Sequence, residues 1–436
     1  MRTKITQRIL GLLVALLPVQ VVVAVPQIKT WNTANGAQVL YVHAPNLPMV
    51  DVRVTFRAGS AYDGARSGLA VLTNRMMTMG AGGKTANDLA ELFDQVGAKQ
   101  AFEAGRDSAT FSLRSLVDKR ILSTSVDTLA VIIKQPNFVA LDLERERART
   151  LTALKQENES PASIAERRFY QELYGSHPYA KLPVGTEASV KLLTRDDLVR
   201  FHQQYYVARN ATVAVVGAID ETKARAIVQQ LIGELPAGQL AAAVPPVPAL
   251  AESKVISIEH PSTQTHIMIG HPGVKRTDAD YFALYVANHA LGGSGLVSRL
   301  GKEVREKRGL AYSVYSYFNP MGQSGPFVMG MQTKNTQANA GIKVLRQSLK
   351  DYWRNGISPE ELEASRLNIT GGFPLRVDSN SKIVEYLAMI GFYGLPLTYL
   401  DDFNGKINAL NLQGIRETFR RRVNPERMIT VIVGGK

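Results

Sequence analysis

The 436-residue chain contains no cysteine. That excludes disulfides, thiolate nucleophiles and cysteine-ligated metals. An exported protein of this size without disulfides must rest on large apolar cores, as periplasmic proteins commonly do and small secreted domains cannot. Histidine is also scarce. The seven are His43, His177, His202, His260, His266, His271 and His289. None stands three or four residues from another, so no helix face offers a ready metal pair. His266 and His271 are an odd number of residues apart and point to opposite faces of a strand. There is no basic stripe interleaved with aromatics, so nucleic acid is not an expected partner. Gly293-Ser-Gly295 lacks the flanking pattern of a nucleophile elbow and reads as loop chemistry.

Only one long apolar run is present. MRTKITQR is basic, Ile9 to Val25 is uncharged, and Val22-Val-Ala24 ends in small residues. This pattern predicts a secretory signal peptide over residues 1–24, cleaved on the way to the periplasm. The alternative is an uncleaved anchor holding the protein on the membrane, facing the periplasm. The formal charge of +13 includes Arg2, Lys4 and Arg8, whose removal leaves +10. The cations are dispersed apart from Arg420-Arg-Arg422, which suits solubility and attraction to an acidic partner or substrate.

The rest of the chain repeats itself. Leu235 to Ala251, LPAGQLAAAVPPVPALA, reads as a proline-rich linker. Before it, an amphipathic helix from Asp197 leads through a turn to the apolar strand Ala211 to Gly217. After it, Ile415 to Val423 leads in the same way to Ile429 to Gly434. Earlier in each half a strand runs into a glycine turn, at Val52 to Gly59 and His266 to Gly273. Helical Leu141 to Lys155 has its counterpart in Pro359 to Ile369. We expect an α+β protein of two homologous domains, each a mostly antiparallel sheet packed with helices, arranged as a clam-like pair. The boundaries are 27–234, a linker 235–252, and 253–436.

Several motifs in order resemble one family. In the first half these are Phe56-Arg-Ala-Gly-Ser-Ala-Tyr-Asp63, Ser67-Gly-Leu-Ala70, Gly97-Ala98, Asp107 to Leu113, Tyr174-Gly-Ser-His177-Pro178 and Val184-Gly-Thr-Glu187. In the second they are Leu291-Gly-Gly-Ser-Gly, Ser298-Arg-Leu300 and Val304-Arg-Glu-Lys-Arg-Gly-Leu-Ala-Tyr-Ser-Val314. Together they resemble the pitrilysin, insulysin and mitochondrial processing peptidase family over essentially the whole mature chain. That family's zinc helix carries His-x-x-Glu-His, two ligands and the general base. Here the frame reads Val71-Leu-Thr-Asn74-Arg75. Valine has no lone pair, asparagine is a poor base, and arginine is a permanent cation. The family's third ligand, a Glu, aligns with Ala153, beside Thr152. The resemblance therefore implies a pseudo-peptidase with no metal of its own. Arg75 is expected to pair with Glu144 or Glu146 in place of the missing charge.

The family's second half supplies an Arg and a Tyr, seven residues apart, that approach the substrate. They fall on Arg305 and Tyr312. A phenol can donate to a scissile carbonyl as charge develops on its oxygen. A guanidinium can hold a peptide carbonyl or carboxylate. The plain alternative is a solvated Arg305 and a Tyr312 packed at a domain edge. Arg308, one helical turn before Tyr312, is the competing cation. Some family members divide these tasks between two chains, one with the zinc motif and one with the Arg/Tyr pair. The resemblance thus implies the non-catalytic, substrate-binding subunit of a heterodimeric zinc endopeptidase. Its partner would be a homologous subunit bearing His-x-x-Glu-His and the zinc, and its substrates peptides. The edge near Phe56 to Ser60 is expected to bind peptide backbone by strand addition. The rival expectation is a stand-alone peptide-binding scaffold.

Overall fold

A computed structural model describes residues 27–435. The expected signal peptide, residues 1–24, lies outside the described residues. Among the described residues no helix is long and apolar enough to cross a membrane.

The chain is α+β and is built on two sheets of matching order. In the first, the spatial order is Lys29–Asn32, Gln38–His43, Ala211–Gly217, Met49–Phe56, Ala109–Leu116, Lys99–Ala104. In the second it is Lys254–Ile258, Ile429–Val433, Gln264–Pro272, Pro326–Lys334, Ala311–Phe318. Each half contains one parallel pairing, made by its last strand with its early strand, and is otherwise antiparallel. The first sheet adds Lys29–Asn32 outside the shared set of five. Residues 236–251, inside the proline-rich stretch, form neither helix nor strand. They are nonetheless pinned: Gln323 donates to the Val244 carbonyl at 2.9 Å, and His177 Nε2 meets the Pro245 carbonyl at 2.8 Å.

Strand Ala211–Gly217 is buried at every residue. Such a continuous apolar run requires cover on both faces of its sheet. Val213 and Val215 enter the first-half core, while Ala214 and Val216 enter the core of the second half. The cover on that second face is helix Asn380–Tyr393, which comes from the other half. The exchange is reciprocal. Helix Pro161–Tyr174 starts where Ser160 caps the Ser163 amide and Pro161 needs no donor. Its apolar stripe, Ala165, Phe169 and Leu173, lies on the second sheet with Met268, Val328 and Val431. Glycine allows the close approach on both sides. A Cβ on Gly270 would come within 2.8 Å of Phe169, and one on Gly391 within 2.5 Å of Leu40.

This arrangement corrects the expected edge. Met49–Phe56 is an inner strand, paired on both sides, and Phe56 is fully buried. The edges of this sheet are Lys29–Asn32 and Lys99–Ala104, and the residues of Lys99–Ala104 are mostly exposed.

Candidate functional site

The degenerate frame occupies helix Leu69–Met77. Gly68 enters it at φ 97°, a conformation that favours glycine, and a Cβ there would meet the Val184 carbonyl at 2.9 Å. Asp63 caps the start, accepting from the Gly68 and Ala70 amides at 2.8 Å each. Burial raises its carboxyl to about 7, although these amide bonds and Lys181 favour the charged form. Val71 and Asn74 are both buried. Asn74 turns inward beside the Tyr206 phenol, and neither group completes a hydrogen bond of normal geometry. The general-base position is therefore sealed within the domain rather than open to a cleft.

Arg75 is exposed and donates to Thr150 Oγ1 at 3.3 Å. The expected pairing with Glu144 or Glu146 does not form. Glu144 is held by Arg147 at 3.1 Å, and Glu146 by Arg149 at 3.6 Å. Ala153 is exposed, and the hydrogen bond between helix Ala140–Asn158 and the frame is made at Thr150, one turn earlier. Among the described residues no group of three or more His, Cys, Asp or Glu is placed to hold a metal ion. A valine, an inward asparagine, a cation and a threonine do not form a zinc site. The donor set of this chain does not fit the metal.

Arg305 and Tyr312 are brought together. Tyr312 lies at a β-bulge in strand Ala311–Phe318: Ala311 opposes Thr333 and Ser313 opposes Gln332, so Tyr312 has no ladder partner. A bulge re-aims its extra side chain, and Tyr312 is 83% exposed. The Arg305 guanidinium sits 4.5 Å above its ring. Arg305 comes from the wide helical turn Gly301–Glu306, and neither its guanidinium nor the Tyr312 phenol has a hydrogen-bond partner among the described residues. The competing Arg308 is committed to Glu303, at 2.6 Å to the carboxylate and 2.7 Å to the carbonyl. Among the described residues no hydrogen bond, ion pair or ring contact connects this pair to the degenerate frame. The two clusters belong to different halves.

Strand Ala311–Phe318 and strand Lys99–Ala104 hold the same edge place in their respective sheets. Between the halves lies a junction that sequence reasoning missed. Asp107, in the hairpin after Lys99–Ala104, accepts from the phenols of Tyr179 and Tyr393 and from the Gly322 amide at 2.7 Å. Tyr393 and Gly322 are second-half residues. Asp107 lies in the motif Asp107 to Leu113, but nothing local marks an aspartate whose partners lie 72, 215 and 286 positions away.

Comparison with known proteins follows the same division. Residues 38–187 match the profile Insulinase (Peptidase family M16), and residues 192–369 match the Peptidase M16 inactive domain. The crystal structure of a peptidase M16 inactive domain from Pseudomonas fluorescens superposes with a TM-score of 0.91 at 36% identity, covering 94% of this chain and 98% of that one. The chain is 27% identical to the Non-peptidase homolog YmxG of Helicobacter pylori, over 93% of its own length and 94% of the relative's. It is 25% identical to the Uncharacterized zinc protease YmxG of Bacillus subtilis, over 93% and 98%. The fold, the order of the two profiles and the inert frame lead to one conclusion: the chain belongs to peptidase family M16, as a pseudo-peptidase whose own frame has lost its zinc chemistry.

Proposed function

We propose that the protein is the non-catalytic, substrate-binding subunit of a heterodimeric zinc endopeptidase in the periplasm. The carrying observation is the Arg305–Tyr312 pair. Tyr312 is exposed and raised on a bulge, the half-buried Arg305 lies over its ring, and neither side chain has a hydrogen-bond partner among the described residues, in a chain whose own frame cannot hold zinc. The partner, a homologous subunit with His-x-x-Glu-His, supplies the metal and the general base. This chain then presents the Tyr312 phenol as a donor to the scissile carbonyl oxygen, with Arg305 holding a neighbouring carbonyl or carboxylate. The exposed edge Lys99–Ala104 offers backbone groups for strand addition by the peptide. The basic, apolar leader supports export.

The test is to mix the purified chain with its zinc-motif partner and assay peptide cleavage. Activity is expected only in the mixture. Tyr312→Phe should lower its turnover by tens to hundreds of fold, roughly the cost of one oxyanion donor. An unchanged rate would remove Tyr312 from the site. A mixture without activity would favour a stand-alone peptide-binding scaffold.

A further inference from the structure

The second half has its own helix-and-cavity arrangement where the first half carries the frame. Strand Gln264–Pro272 leads to helix Tyr281–Asn288, as Met49–Phe56 leads to the frame helix. In the first half, Arg75 reaches across to the long helix Ala140–Asn158 at Thr150. In the second, His289 reaches across to the long helix Pro359–Gly372, meeting Ser365 and Asn368 at 3.0 Å each. Beside this crossing opens a cavity of about 480 Å³. Its floor is fixed by two bonds between Asn288 and Ser316, under glycines 292 and 293 that pack too closely for a Cβ.

The electrostatics of this cavity are one-sided. Arg276 and Arg376 both line it, and no aspartate or glutamate does. Among the described residues neither arginine has an ion-pair partner, and Arg276 Nε is buried without a hydrogen-bond partner. The acids nearest to Arg276 in sequence are already taken: Asp278 is bound by Arg422 at 2.8 Å, and Asp280 by Arg421 at 2.7 Å. Arg276 and Arg376 lean on the rings of Tyr281 and Tyr285, at 5.5 and 5.8 Å. His289 adds no charge at neutral pH, because burial lowers its pKa and the nearby Arg376 adds to that. A cavity lined by two guanidinium groups and no carboxylate, with Arg276 half-buried and Arg376 exposed, attracts an anion that can accept from both. Exposed apolar side chains stand at it and close to it in sequence: Val297, which lines the cavity, is 70% exposed, and Leu375, next to Arg376, is 68% exposed.

We infer that this cavity binds the terminal carboxylate of a peptide, with Arg276 and Arg376 on the carboxylate and the last apolar side chain against the tyrosines and Val297. The assignment rests on the proposed function only in taking peptide as the ligand class. It needs neither the partner subunit nor catalysis, so the two readings can fail separately.

Binding to the full chain alone is measured by calorimetry with an apolar hexapeptide ending in Phe, as the free acid and as the C-terminal amide. The free acid is expected to bind at least about tenfold more tightly, the usual effect of a charged hydrogen bond. Arg276→Gln and Arg376→Gln should each abolish that preference while the melting temperature holds. Arg376→Lys, which keeps the charge but loses the fork, should retain part of it. Equal affinity for acid and amide, or no binding of either, would overturn the inference. Inorganic phosphate binding as tightly as the free-acid peptide would also overturn it, by reducing the cavity to a general anion site.

Discussion

At the level of single residues, the structure separates what is lost from what is retained. Loss of zinc chemistry was legible at Val71, Asn74 and Arg75, because ligand chemistry depends on residue type alone. What replaces the zinc was not legible. Arg75 rests on a neutral threonine rather than a carboxylate, because Glu144 and Glu146 are drawn to arginines three residues along their own helix. Arg75→Ala should therefore change unfolding free energy by no more than about 0.5 kcal/mol, as for an exposed side chain with one weak contact. Urea denaturation checks this, and a loss several times larger would require an interaction beyond Thr150. Arg305 and Tyr312 were singled out by the family resemblance, and the structure puts their side chains in contact. The bulge that lifts Tyr312 was not legible, since a one-residue offset between strands leaves no mark on either strand alone.

At the level of elements, alternation and run length identified the buried strands, and the repeats indicated two similar halves. The wrong assignment was the edge. Val52 to Phe56 reads equally well as an inner or an outer strand, and only the pairing with Ala109–Leu116 and Ala211–Gly217 makes it inner. The helix exchange was also hidden. An apolar stripe such as Ala165, Phe169 and Leu173 calls for cover without naming which sheet provides it. The Asp107 junction ties these elements where the halves meet. Asp107→Ala would leave two phenols and the Gly322 amide short of an acceptor. We expect a loss of about 3 kcal/mol in unfolding free energy, from buried polar groups left unpaired. Asp107→Asn, which keeps one acceptor oxygen, should lose less. Equal stability of Asp107→Ala and the parent would mean that solvent satisfies these groups.

For the whole molecule, pH acts on buried groups of opposite sign. Burial lowers the pKa of His202, His266, His271 and His289 below the ordinary 6.5. Neutral histidine is thus favoured in the fold. Their contribution is present above about 6.5 and is lost as pH falls through the lowered values. Asp63 works the other way. Its carboxyl is raised to about 7, so its contribution is present below the ordinary 3.8 and is lost as pH rises through 7. Burial raises Asp51 as well, so the two signs oppose each other between pH 7.5 and pH 5.5. Asp63→Asn, which removes the stabilisation gained on acidification, should make the melting temperature fall more steeply toward pH 5.5 than in the parent. An unchanged profile by calorimetry would contradict this. The reciprocal exchange of helices Pro161–Tyr174 and Asn380–Tyr393 also bears on how the chain can be divided. Each half completes the other's core, so the covalent link through residues 236–251 is not what joins them. A protease cut there should give two fragments that elute as one particle on size exclusion and separate only in denaturant. Neither fragment should fold alone, since each would expose the sheet face its counterpart covers. The working unit of this duplicated protein is the interlocked pair, and the duplication cannot be undone by removing half of the chain.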